Sequence, residues 1–94
     1  MTDSLETQDT VEIGLDANEA IVLFELLSRW CDPKTDATPA RACFQSTAEC
    51  AVLHGLLGSL EKQLVTPFKP DYVEIVAQAR RRLEPLWDRA TLNG

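Results

Sequence analysis

Three cysteines and a single histidine are the side chains of this 94-residue chain that could ligate a soft metal or serve as nucleophile and base. Two of the cysteines and the histidine fall inside CFQSTAECAVLH, residues 43–54, and Cys31 lies upstream. Cys50 and His54 stand four positions apart, so on a helix they occupy neighbouring turns of one flank and could bring a thiolate and an imidazole to one zinc ion. A structural zinc then needs two further ligands, for which Cys31 and Cys43 are the candidates. Against it, eleven and six residues separate successive cysteines, and the close cysteine pair that anchors zinc modules is missing. A catalytic Cys–His pair needs a lowered thiol pKa, a base in reach and an oxyanion site, and only the base finds support in the spacing. On a helical wheel Cys50 lies about 50° from the centre of a leucine stripe and His54 about 90° from it, which favours packing for the thiol and a boundary position for the imidazole. His54 and Glu61 share a flank, the remaining place for a small ligand. Gly-rich phosphate loops, Gly-x-Ser-x-Gly turns and His-Glu-x-x-His runs are absent. Neither enzyme activity nor a cofactor is expected.

These residues are positioned by three segments with helical periodicity. DANE, residues 16–19, carries a cap and a capping box, and Ala20, Leu23, Phe24, Leu27, Trp30 and Cys31 gather on one side, with Asn18, Glu25 and Arg29 opposite. The residue before Pro33 is driven out of the helical region, so helix 1 should end near Cys31, and residues 32–42 form an exposed loop. STAE, residues 46–49, repeats the start signal and opens helix 2 to about Val65, with Val52, Leu53, Leu56, Leu57, Leu60 and Leu64 as its apolar stripe. Pro70 suits the first turn of helix 3, whose buried stripe is Tyr72, Ile75, Val76, Ala79 and Leu83. Pro85 should stop that helix near Glu84, with Leu86 and Trp87 folding over the core. Ahead of the helices, VEIGL at residues 11–15 alternates apolar and polar positions as a half-buried strand does; its candidate partner is RACFQ at 41–45, or failing that a second copy. The expectation is a mainly α, compact three-helix domain over residues 11–90 with a short N-terminal extended segment, preceded by an acidic, disordered tail at 1–10.

Apolar content of 45% with 26% charged residues is ordinary globular composition, and a chain of this size buries roughly 64% of the surface its unfolded form exposes, too little for a spacious internal site. The N-terminus carries no basic, apolar leader, and the odd number of cysteines argues for reduced thiols, so a cytoplasmic protein is expected. The net charge of −6 sits in residues 1–20, which hold six acids and no base. That asymmetry disfavours nucleic acid and anionic membranes and suits a basic protein partner. Arg80, Arg81 and Arg82 diverge by about 100° each on a helix and make no single patch, leaving Arg81 as a partner contact.

Gly55 and Gly58 inside helix 2 cost about 1 kcal/mol each relative to alanine. With Ala51 they form a smooth strip opposite the leucines, suited to receive helix 3 or a second subunit in a homodimer. Together these features point to a non-catalytic interaction module.

The stretches LDANEAIVLFELLSR (15–29) and AECAVLHGLLGSLEKQLVTPFKPDYVEIVAQAR (48–80) resemble a set of short uncharacterised bacterial proteins. The shared elements are a capped EA-L-V-L-F helix, an AE…LE helix and a PF-P-Y lead into the last helix. The resemblance implies a fold and assigns no catalytic residue. In size, charge and helical content the chain is also similar to small acidic immunity proteins, which neutralise toxins.

Overall fold

Asp16 starts the first helix by closing a reciprocal pair of hydrogen bonds. Its carboxylate accepts the Glu19 amide at 2.8 Å, and the Glu19 carboxylate accepts the Asp16 amide at 2.9 Å, satisfying donors that the first turn leaves unpaired. The computed structural model describes residues 9–65 and 69–94. Within them helix α1 spans Ala17–Trp30, α2 Thr47–Gln63 and α3 Tyr72–Leu83, with 3-10 turns at Arg41–Cys43 and Glu84–Leu86. The chain is thus mainly helical, as its periodicity predicts. Most of the acidic stretch at 1–10 lies outside the described residues.

α1 is the middle element. Its C-terminal end, with Leu27 and Trp30, meets the start of α2 near Cys50 and Leu53, while Ala20 and Leu23 meet Leu60 and Leu64 at the other end, so α2 runs antiparallel to α1. α3 is antiparallel too, because its first residue Tyr72 adjoins Phe24 and Ser28 and its last turn reaches Asn18 through Arg82. Both outer helices pack on α1 rather than on each other. Every residue from Asn18 to Ser28 is consequently buried or half-buried. A one-sided stripe on α1 therefore does not hold: Ile21 is 2% exposed, and Glu25, placed opposite the stripe by its position on the wheel, faces α3. The buried core is Ile21, Phe24 and Leu27 of α1, Leu60 of α2, and Val76 and Ala79 of α3.

Among the described residues the inter-helix side-chain hydrogen bonds lie at the α1–α3 seam. Arg80 donates to the Glu25 carboxylate at 2.7 Å, Arg29 approaches the same carboxylate at 3.4 Å, and Arg82 donates to the Asn18 side-chain oxygen at 3.2 Å. Being partly solvated, the Arg80–Glu25 pair contributes on the order of 0.2–1 kcal/mol and serves mainly to set the register of α3 on α1. Burial raises the pKa of the Tyr72 phenol, the nearby Glu25 carboxylate pushes it the same way, and Arg80 opposes both.

Several boundaries depart from the sequence reading. No strand forms among the described residues: 41–43 tighten into a 3-10 turn, so the expected partner of residues 11–15 is not extended, and Val11 and Ile13 stand in solvent. Helix α2 stops at Gln63, and Pro70 precedes the Asp71 cap rather than sitting in the first turn of α3. α3 ends at Leu83 as Pro85 requires, yet Leu86 and Trp87 do not cover the core. The Trp87 indole instead donates to the Thr91 carbonyl at 3.1 Å, with the Arg89 guanidinium 6.0 Å above its ring.

With so small an enclosed core, Leu27→Ala should lower the unfolding free energy by about 2–5 kcal/mol, and Val73→Ala on the exposed face of α3 by about 0.5 kcal/mol or less; urea titration compares them. The single tyrosine gives a second test. Because folding raises its pKa, the associated stability is fully present below the ordinary value of 10.0 and is lost as pH rises through the higher folded value. Absorbance titration of tyrosinate should show a higher midpoint for the native chain than for the chain in urea, lowered by Glu25→Gln and raised by Arg80→Ala.

Candidate functional site

Two surfaces of the molecule could receive another molecule, and α1 supports both. At its C-terminal end the loop after Cys31 folds back. Asp32 accepts the Lys34 amide at 2.9 Å, and the Thr35 hydroxyl donates to the Arg29 carbonyl at 3.3 Å while accepting the Ala37 amide at 3.3 Å. These bonds lead the chain to Pro39 and Phe44. The Ser46 hydroxyl then accepts the Ala48 amide at 2.9 Å, and Glu49 reaches back to the Gln45 amide at 3.0 Å, one residue earlier than a standard capping box. The resulting cleft of about 70 Å³ is lined by Trp30, Phe44 and Leu53 together with Cys31, Cys50 and His54.

The structure thus gathers three of the four residues singled out as zinc candidates and leaves the fourth aside. Cys43 belongs to the 3-10 turn, is exposed, and does not line the cleft. No group of three or more His, Cys, Asp or Glu side chains among the described residues is placed to hold a metal ion, so the zinc set Cys31, Cys43, Cys50 and His54 is not assembled. The physical reason is the wheel: Cys50 points into the α1–α2 seam as a small hydrophobe, while His54 stands at its solvent edge. The cleft is apolar, and its size suits one aliphatic side chain. Glu61 is exposed and does not line this cleft.

The second surface lies at the other end of α1. The segment Ile13–Ala17 and the second half of α2 bound an open groove of about 560 Å³, whose floor is Ala20, Leu23, Leu60 and Leu64 and whose rims carry Ile13, Leu15 and Leu56. One turn before Leu56, on the same flank of α2, Val52 is 69% exposed. α2 has more apolar residues than α1 can cover: Leu53, Leu57, Leu60 and Leu64 face α1, and the Val52 and Leu56 part of the expected stripe is left outside.

In the strip Ala51, Gly55 and Gly58, the first two are exposed and Gly58 is half-buried. A Cβ built on Gly55 or Gly58 would meet no atom within 4 Å, so helix α3 does not fill the strip as one reading of the sequence expects. Packing of α3 on α1 carries it away from that face. Arg81 is exposed and makes no ion pair among the described residues, while its neighbours Arg80 and Arg82 turn to α1. Sequence reasoning missed the Ile13–Leu15 and Leu56 groove. The signal was present in the apolar alternation of residues 11–15, which was assigned to strand pairing rather than to a free apolar edge. Among the described residues no helix is long and apolar enough to cross a membrane.

Thiol titration should resolve the cysteines by burial: with Ellman's reagent Cys43 reacts in a fast phase that Cys43→Ser removes, and the half-buried Cys31 and Cys50 follow slowly, while a chelator leaves the helical circular dichroism unchanged. Compared with known proteins, the chain matches no family model, no curated protein and no solved structure.

Proposed function

We propose that this chain is a non-catalytic protein–protein interaction module, of immunity-like or regulatory type, working in the cytoplasm. The observation that carries the reading is the uncovered apolar flank of α2, Val52 and Leu56, continuous with the groove edged by Ile13 and Leu15. A mainly apolar patch of that kind, with Asp16, Ser59 and Gln63 as the polar side chains along the groove, suits docking of another protein surface better than orientation of a substrate. Asp16 lines the groove and Glu12 precedes its Ile13 edge in the chain, and with no base among residues 1–20 this charge would steer a basic partner toward it. Reduced thiols accord with the cytoplasmic assignment.

The thiol cleft supports no second function of comparable weight, because its lining is apolar and its volume fits a side chain rather than a metabolite.

Affinity capture from the source cells tests the reading. The tagged chain should retain a protein partner at moderate salt, Val52→Asp should lose it, and Val73→Asp, on an 81% exposed residue of α3 away from the patch, should keep it. Capture unaffected by Val52→Asp, or no capture by any form, counts against the module.

A further inference from the structure

The two half-buried thiols of the chain face one space. Cys31 caps the C-terminal end of α1, Cys50 lies near the start of α2, and both line the cleft of about 70 Å³ together with Trp30 and Phe44. We propose that this pair is an oxidisable dithiol, a redox-modification site at which hydrogen peroxide joins the two sulfurs in an intramolecular disulfide and ties the end of α1 to the start of α2. The bond lies within the chain, so the proposal stands apart from the interaction reading.

Helix register brings the two cysteines level. α1 and α2 are antiparallel, and Leu23 meets Leu60 at one end of their seam. Equal steps forward along α1 and back along α2 bring Trp30 level with Leu53, and these two line the cleft together. Cys31 then stands level with Val52, and Cys50 is offset from it by about 3 Å along the axes at about 1.5 Å per residue. Across an interaxial distance of about 8–10 Å, facing residues with so small an offset fall near the Cα separation of about 4.4–6.8 Å that a disulfide spans. Cys31 is the cap rather than an interior residue of α1, so the loop after it can absorb the adjustment that bonding requires. Cys43 is exposed on its 3-10 turn and lines neither this cleft nor the wider opening on the Arg41 side of Cys50.

That wider opening, bordered by Arg41, Ser46 and Cys50, lets a small oxidant reach the Cys50 sulfur without parting the seam. His54 lines the cleft one turn further along α2 and can take the thiol proton. The Cys50 thiolate attacks one oxygen of hydrogen peroxide, the O–O bond breaks, and the departing hydroxide takes up a proton as water, leaving a sulfenic acid. The Cys31 thiolate then attacks the Cys50 sulfur, the S–O bond breaks, and the sulfenic oxygen leaves as a second water. Two thiols thus give up two electrons and two protons, and one peroxide becomes two waters. A low-molecular-weight thiol such as glutathione reverses the bond by two exchange steps, so the dithiol is the resting form in a reducing compartment. The closed ring contains residues 32–49, and it stabilises the oxidised fold by restricting the unfolded chain.

Disulfide mapping of the full chain tests this. After peroxide treatment of the native protein and digestion with trypsin and a glutamate-specific protease, the fragment Trp30–Lys34 should be joined to the fragment that begins at Cys50, because cleavage after Glu49 separates Cys50 from Cys43. Cys43→Ser, at an exposed position, should still lose two hydrogens in mass. Its melting temperature should rise on oxidation by on the order of 10 °C and return with dithiothreitol. In glutathione redox buffers the effective concentration of the pair should be on the order of 100-fold higher in native Cys43→Ser than in urea, since the fold holds the thiols together. An effective concentration no higher than in urea, persistent glutathione adducts at Cys31 and Cys50, or a preferred link through Cys43 overturns the proposal. The fragment map is read on the wild-type chain, so it decides the matter even if Cys43→Ser fails to fold.

Discussion

The fold depends on one helix being buried from two sides. α1 offers α2 one seam and α3 another, and the outer helices do not close on each other. In a conventional three-helix bundle each helix shares its apolar stripe with both others, so each is covered over a wide arc. Here that condition is met for α1 alone. Its sequence matches the demand: from Ala20 to Leu27, Glu25 is the one residue that is not apolar, and it is neutralised by Arg80 and Arg29. The outer helices inherit the consequence, since each is covered on one side by α1 and left open elsewhere.

The two seams are stabilised differently. The α1–α2 seam is almost wholly apolar, with Leu27, Leu53, Leu57 and Leu60 meeting and a thiol at its end. The α1–α3 seam is narrower in apolar content, through Val76 and Ala79, and is bounded by Glu25, Arg80, Asn18 and Arg82. Apolar burial supplies most of the free energy in both, because partly solvated ion pairs contribute little. The polar border supplies direction, since Arg80 meets Glu25 and Arg82 meets Asn18, nearer the start of α1, only when α3 runs antiparallel to it. The Tyr72 phenol, pushed up by burial and by Glu25, reports on that same border.

The proposed function rests on what this arrangement leaves uncovered. Clustered cysteine and histidine suggest chemistry, but the fold divides them between a seam, its edge and a separate turn, and among the described residues they form no group placed to hold a metal ion. The groove at the opposite end draws on residues 13–15, the first turns of α1 and the second half of α2, which no local motif links. Its rims are apolar, and Asp16, Ser59 and Gln63 are the polar side chains of its lining.

Local rules made much of the molecule legible in the sequence. Asp16 with Glu19, and Ser46 ahead of Glu49, mark the two helix starts; Pro33 and Pro85 mark ends; the leucine spacing marks the face of α2 that meets α1. Each of these depends on hydrogen bonds and sterics within a few residues. Hidden from that reading were the second buried side of α1, shown by Ile21 and Glu25, the exposure of Val52 and Leu56, and the open space around Gly55. Those are decided by which helix lies against which. A helical pattern states how much apolar surface must be covered, whereas the partner that covers it is chosen by packing between segments far apart in the chain.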